Sequence, residues 1–211
     1  MAIPNPPPLT YVLAASDPRA VNTAKGRPAD QSVAVWVTTD PIWDELANVI
    51  ALQQHATEMA RQLLVGELVT LLVPVDPCRQ PQWLAPAVRD GHALLFGARW
   101  APLRDIFADA GVLYVSSANR TGSAPAETAE QIDHAFGSSV PVLELPDWQP
   151  GLRRRATTTV RIYDDGALKV TREGAQDHVF GGPSPYLDHL CRRYRARSTA
   201  IGGGRDRRAS R

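Results

Sequence analysis

Tyr114-Val115-Ser116-Ser117-Ala118-Asn119-Arg120-Thr121-Gly122 begins as a β-prone apolar stretch and empties into small hydroxyl and amide residues closed by a glycine. Ligands favour strand ends that lie ahead of helices, and close-set backbone amides in such a turn can hold an anion. Ser117, Asn119 and Thr121 supply short donors and acceptors there. An ordinary polar connection, with Asn119 and Gly122 satisfying the turn, is the other reading of the same residues. Downstream, Thr128-Ala129-Glu130-Gln131 has the spacing of a capping box and predicts a helix ending near Gly137. Strand, polar turn and helix in that order are a unit of an α/β domain rather than of a bundle or a sandwich.

The alternation continues on both sides. Residues 9–14, 33–38, 68–75, 92–96 and 112–115 read as strands, and 68–75 is continuous enough for a strand covered on both faces. Between them, Asp17-Pro18 reads as an N-cap and first helical residue, and Lys25-Gly26 as a basic last turn with glycine beyond it. Asp40-Pro41 opens a helix with Ile42, Leu46, Val49 and Ile50 at helical spacing, 56–64 and 102–110 are further helices, and the proline-rich 74–86 reads as loop. Toward the C-terminus, 140–145 is a strand and Asp164-Asp165-Gly166 joins 157–163 to 167–172 as a hairpin. Residues 184–197 form a C-terminal helix whose amphipathic part, from Pro185, carries Tyr186, Leu187, Leu190 and Tyr194 on one face. Trp36, Trp43, Trp83, Trp100 and Trp148 read as core anchors, with Trp100 also placed to line a pocket.

A chain of 211 residues, 44% hydrophobic, supports one sizeable core and a tail, and no internal repeat is visible. Residues 191–211 hold eight arginines against Asp206 alone, a charge of +7, leaving 15 basic and 21 acidic residues, or −6, before them. A basic end of this kind can follow the phosphates of RNA or stay solvated and disordered; residues 198–211 are expected to be such a tail. The longest apolar run is far below a membrane span and the N-terminus has no signal core, so the expectation is a soluble, cytoplasmic protein with no membrane partner. Cys78 and Cys191 stand alone, and His55, His92, His134, His178 and His189 lack metal spacing, so no metal site is expected.

Lysine occurs only at positions 25 and 169. Lys25-Gly26-Arg27-Pro28 therefore stands out: two cations flank a glycine where backbone can approach a ligand, and Arg27 can grip a phosphate or carboxylate with two donors. A helix C-cap with charges that complement its dipole explains the same residues. No Walker loop, GxGxxG or GxSxG occurs, so a nucleotide site must be of another type and a serine hydrolase is disfavoured.

The order KGRP (25–28), SSANRTG (116–122), helix, TTTV (157–160) and REGA (172–175) resembles the YrdC-like family of threonylcarbamoyl-AMP synthases over about residues 9–176. The resemblance implies an α/β fold in a single domain: a twisted mixed sheet with flanking helices and a concave cavity. It implies nucleotidyl transfer with ATP and magnesium, joining L-threonine, or another small amine acid, and bicarbonate into the adenylate used for t6A modification of tRNA. Residue by residue, Lys25, Arg27, Ser117 and Asn119 match the family's phosphate-holding set and are the implied catalytic residues. Thr158 and Thr159 match its segment beside the nucleotide, and Arg172 its late phosphate-facing arginine. Thr10, Tyr11 and Leu13 match the amino-acid side, where the likeness is shortest, and Thr10 and Tyr11 are the implied substrate-binding residues there. There the family's Pro-Gly-Pro-Leu-Thr turn becomes Val65-Gly66-Glu67-Leu68-Val69-Thr70, and its Arg-x-Pro-x-His region becomes Phe96-Gly97-Ala98-Arg99-Trp100-Ala101-Pro102. Two other readings stay open: a carbamoyl-adenylate enzyme with a different acceptor, and a non-catalytic paralogue that binds nucleotide or RNA.

Overall fold

The structure, a computed structural model, describes residues 1–97, 101–108, 110–145, 151–194 and 197–198. Its strands are β1 (Ala2–Ile3), β2 (Val12–Ala15), β3 (Ala34–Trp36), β4 (Thr70–Pro74), β5 (Val88–Arg89), β6 (His92–Phe96), β7 (Leu113–Ser117), β8 (Thr159–Ile162), β9 (Ala167–Arg172) and β10 (Arg197–Ser198). They form one mixed sheet in the order β1-β2-β7-β3-β6-β4-β8-β9-β10, with β5 paired to β6. The pairs β3–β6, β4–β8 and β9–β10 are parallel and the rest antiparallel. The helices are α1 (Pro18–Lys25), α2 (Asp40–Ala47), α3 (Gln54–Gln62), α4 (Arg104–Ala108), α5 (Ala129–Phe136), α6 (Ala175–Val179) and α7 (Pro183–Tyr194). Among the described residues no helix is long and apolar enough to cross a membrane.

Successive strand side chains point to opposite faces, and here the two faces have different fates. Tyr11, Leu13, Val35, Leu71, Val73, Leu95, Tyr114 and Val160 join a large core with Val21 of α1, Leu46 of α2, Met59 of α3, Phe136 of α5 and Leu190 of α7. Val12, Ala14, Ala34, Trp36, Phe96 and Val115 face the other way, into a smaller core completed by Phe107 of α4 and Ala175 of α6. Trp36 is its anchor, with ring centroids 4.5 Å from Phe107 and 5.3 Å from Phe96. The smaller core covers only part of its face, and the rest is left open as a cavity.

Local chemistry sets the helix ends. Asp17 Oδ1 accepts from Arg19 N at 2.9 Å with Pro18 at the first helical position, and Gly26, at φ 65°, closes α1 in the left-handed conformation that glycine adopts without strain. Thr128 caps α5 through Gln131 N, while the Gln131 side chain accepts from Glu127 N, one residue earlier than a capping box requires.

Two expectations need correction, and two short elements go unread. Residues 140–145 make no strand: Val142 bridges Ala2 alone, because the short β1, unforeseen in the sequence, offers only two residues to pair with. The C-terminal helix begins at Pro183 and is described to Tyr194, and Arg197–Ser198 pairs with β9 rather than extending it. Helix α6 went unread because five residues are too few to show periodicity. Within the stretch read mainly as loop, residues 82–87 form a 3₁₀ turn. Residues 199–211, Ala98, Arg99, Trp100 and Trp148 lie outside the described residues, so the tail and the pocket role of Trp100 do too.

Candidate functional site

The strand registers put one row of side chains across the open face. Val12 is opposite Ser117, Ala34 opposite Val115, Thr70 pairs with both Phe96 and Thr159, and Thr159 stands opposite Arg172. Above this row lies a cavity of about 340 Å³, walled on one side by Asn5, Leu9 and Thr10 and on the other by Lys25, Arg27 and the 116–122 turn. That volume is within the range of small-ligand sites.

Lys25 is the last residue of α1, and the helix turns it inward until it is 4% exposed. Its ammonium donates to Ser117 O, to Asn119 O at 2.8 Å and to Asn119 Oδ1 at 2.8 Å, so all three protons hold the polar turn in place. The turn answers: Thr121 donates to Lys25 O from both its amide and its hydroxyl, each at 3.2 Å. Asn119 is fully committed, accepting also from Ser117 Oγ at 2.6 Å and donating Nδ2 to Arg120 O and Ser123 O. Lys25 and Asn119 are therefore what shapes the turn, and the lysine acts on a bound anion as a fixed charge. Burial, then the neighbouring Arg27, pushes its pKa down to about 8.

The chain reverses at Gly26 and brings Arg27 to the cavity. Its Nε donates to Asn22 Oδ1, and Asn22 Nδ2 donates to Ala29 O and Gln31 O, which pins the loop. Among the described residues, Arg27 Nη2 is buried and has no partner. A buried guanidinium nitrogen left unpaired is costly, and an anion in the cavity is the natural acceptor. Arg172 extends along the far wall and donates Nη2 to Thr157 O at 3.0 Å, while the hydroxyls of Thr70 and Thr157 meet at 2.6 Å.

Seven of the nine site residues named from the sequence thus line one cavity: Thr10, Lys25, Arg27, Ser117, Asn119, Thr159 and Arg172. Tyr11 and Thr158 do not, and the pleat is the reason: each is adjacent in sequence to a residue that faces the cavity. Tyr11 lies 2% exposed in the large core on the opposite face. Thr158 is fully buried, donating Oγ1 to Asp177 Oδ1 at 2.6 Å and accepting from Asp177 N at 3.1 Å. Thr158→Val is accordingly expected to lower stability by about 2 kcal/mol in urea unfolding, by removing one of the two donors to Asp177 Oδ1 and the acceptor of Asp177 N, while ligand affinity changes less than about twofold. Sequence reading missed Thr70, Thr157 and Asn5, which also line the cavity. Alternation outward from Thr159 would have found Thr157; Thr70 and Asn5 are brought in by pairing and by a loop.

The Sua5/YciO/YrdC family model, described as "Telomere recombination", matches residues 9–174. No curated protein matches the chain. Among solved structures, P. abyssi Sua5 complexed with L-threonine superposes at a TM-score of 0.65 with 16% identity, covering 94% of this chain and 54% of that one. E. coli YciO superposes at 0.61 with 15% identity, covering 88% and 86%. Full-length HypF in its phosphate- and nucleotide-bound form superposes at 0.61 with 15% identity, covering 83% and 27%. The chain spans about half the length of the Sua5 structures it matches. At these identities the superpositions establish the shared fold.

Proposed function

Because the chain belongs to the Sua5/YciO/YrdC family, we propose that it binds ATP with magnesium in this cavity and forms a carbamoyl-adenylate. The simplest product is L-threonylcarbamoyl-AMP, made from L-threonine, bicarbonate and ATP for t6A modification of tRNA. The observation that carries the reading is the unpaired Arg27 Nη2 beside the Lys25 charge, in a cavity whose lining contains no carboxylate among the described residues. Such a wall favours a polyanion. The bound ligands of two family relatives, L-threonine in one and phosphate with nucleotide in the other, are of the two kinds the reaction needs.

Chemically, the amine adds to the carbon of bicarbonate with loss of water. An oxygen of the resulting N-carboxylate then attacks the α-phosphorus, and the bond to pyrophosphate breaks. Negative charge grows at the α-phosphoryl oxygens, and no protein nucleophile is required. Arg27 can donate to that charge, Lys25 and Arg172 flank it, and the hydroxyls of Ser117 and Thr159 add dipoles. Magnesium, when bound, screens the leaving pyrophosphate. Serine, threonine and amide oxygens without a carboxylate make a poor protein cage for it, and among the described residues no group of three acidic, histidine or cysteine side chains gathers. The ion is expected to enter on the phosphates.

Titration calorimetry of MgATP into the protein, repeated with L-threonine and bicarbonate and followed by a pyrophosphate-release assay, tests the proposal. Binding that threonine strengthens, with release that requires both co-substrates, is the expected result; no binding of ATP sinks it. The pH dependence is a second check. Lys25 supports anion binding as an ammonium, so MgATP affinity should be level below pH 8 and fall as pH rises through about 8, and the Lys25→Met protein should lose that fall.

One observation favours a variant of this reading. Of the three residues matched to the family's amino-acid side, only Thr10 reaches the cavity, since Tyr11 and Leu13 face the core. An acceptor amine other than threonine fits that difference, and pyrophosphate release measured across a panel of amino acids would identify it.

A further inference from the structure

Asn5 occupies the loop between β1 and β2 and is 1% exposed. Its Nδ2 donates to Thr10 O at 2.8 Å, which fixes the orientation of the amide: flipped, it would set two oxygens against each other. The opposite atom, Oδ1, is buried and among the described residues receives no hydrogen bond, although Asn5 lines the same cavity as Lys25 and Arg27. Four buried side-chain atoms without partners occur among the described residues, and two of them, Arg27 Nη2 and Asn5 Oδ1, are on residues that line this one cavity. They have opposite sense. The first asks for an acceptor and the second for a donor, so the pair describes a ligand set that is anionic at one wall and carries hydrogen on nitrogen at the other.

We propose that Asn5 is a specificity-determining residue whose Oδ1 accepts a hydrogen bond from an N–H group of a bound substrate. The proposal rests on the functional reading above, which supplies two such groups: the α-amine of the amino acid and the exocyclic amine of the adenine base. The neighbourhood favours the first, because Asn5 holds Thr10, the one residue matched to the amino-acid side that reaches the cavity. The amide is well suited to the task. With Nδ2 held by Thr10 O, Oδ1 is pre-oriented as an acceptor, and a neutral acceptor can hold an amine without forcing it to stay charged.

Two pairs of probes test this on the full chain. Wild-type protein and the Asn5→Ala variant are titrated with L-threonine and with 3-hydroxybutanoate, which is threonine without its amine. They are titrated separately with MgATP and with purine riboside triphosphate, which is ATP without its exocyclic amine. Wild type is expected to prefer threonine over its analogue by about tenfold or more, a preference that Asn5→Ala reduces to near unity. Triphosphate affinity reports that the variant is folded. Loss of discrimination on the triphosphate pair instead supports the proposal and assigns Asn5 to the base. Discrimination unchanged on both pairs in Asn5→Ala, or equal weakening of all four ligands, overturns it while leaving the functional reading intact. Wild-type protein that binds neither triphosphate overturns both.

Discussion

Replacing Lys25 with methionine is expected to weaken MgATP binding at least about a hundredfold and to abolish pyrophosphate release. The change removes a charge from beside the phosphates and leaves the carbonyls of Ser117 and Asn119 without their common donor. Charge-assisted hydrogen bonds are each worth about 1.5–3 kcal/mol, and the turn they shape is one wall of the cavity, so the two losses compound. Asn119→Ala should act through the same turn from the other side, since it frees one Lys25 proton and both Ser123 O and Arg120 O. Because the two residues form one unit, the double variant should be scarcely worse than either single one. Calorimetric titration of the four proteins measures this. Additive losses would mean that Lys25 and Asn119 contact the nucleotide independently.

Gly174→Ala is expected to lower unfolding free energy by about 3 kcal/mol or more in urea denaturation. At Gly174 a Cβ would overlap Thr158 N, Thr157 C and Ala156 O, all backbone atoms that cannot step aside as a side chain can. The close approach exists because α6 is clamped against the start of β8. Gly174 N donates to Asp177 Oδ1 at 2.7 Å, Thr158 N donates to Gln176 Oε1 at 2.8 Å, and Gln176 Nε2 continues to Leu68 O at 2.9 Å. Parting these segments would also displace Thr157 and Thr159, so weaker ligand binding should accompany the lost stability. Gly181→Ala, where nothing lies within 4 Å and only the φ of 82° opposes a side chain, should cost about 1 kcal/mol. Equal unfolding midpoints for wild type and Gly174→Ala would rule out the clamp.

The clamp reaches the C-terminal helix as well. Glu67 Oε1, just before Leu68, accepts from Tyr194 OH at 2.8 Å and meets Arg193 Nη1 at 3.1 Å, so α7 is tied to the segment that leads into Thr70. Burial, then the hydrogen bond to Glu67 and its charge, push the Tyr194 phenol up to about 12.

Local chemistry by itself determined a good deal about this protein. The caps at Asp17-Pro18 and Gly26, the hairpin at 164–166 and the strand that empties into the 116–122 turn are short-range effects, decided within a few residues, and so they could be read directly. The cavity residues were legible where two distant motifs carried unusual side chains: the lone lysine of the N-terminal half, beside Arg27, and the Ser-Ser-Ala-Asn run. Tertiary structure alone decided which of two adjacent residues faces a ligand, because register is set by pairing with strands far away in sequence; Thr10 turned to the cavity and Tyr11 to the core, Thr159 to the cavity and Thr158 to Asp177. It alone decided that all three Lys25 protons are taken by the turn, since its partners lie more than 90 residues away. And it alone brought Asn5 to the cavity wall, since an asparagine in a proline-rich loop carries no mark of the unpaired oxygen that packing gives it.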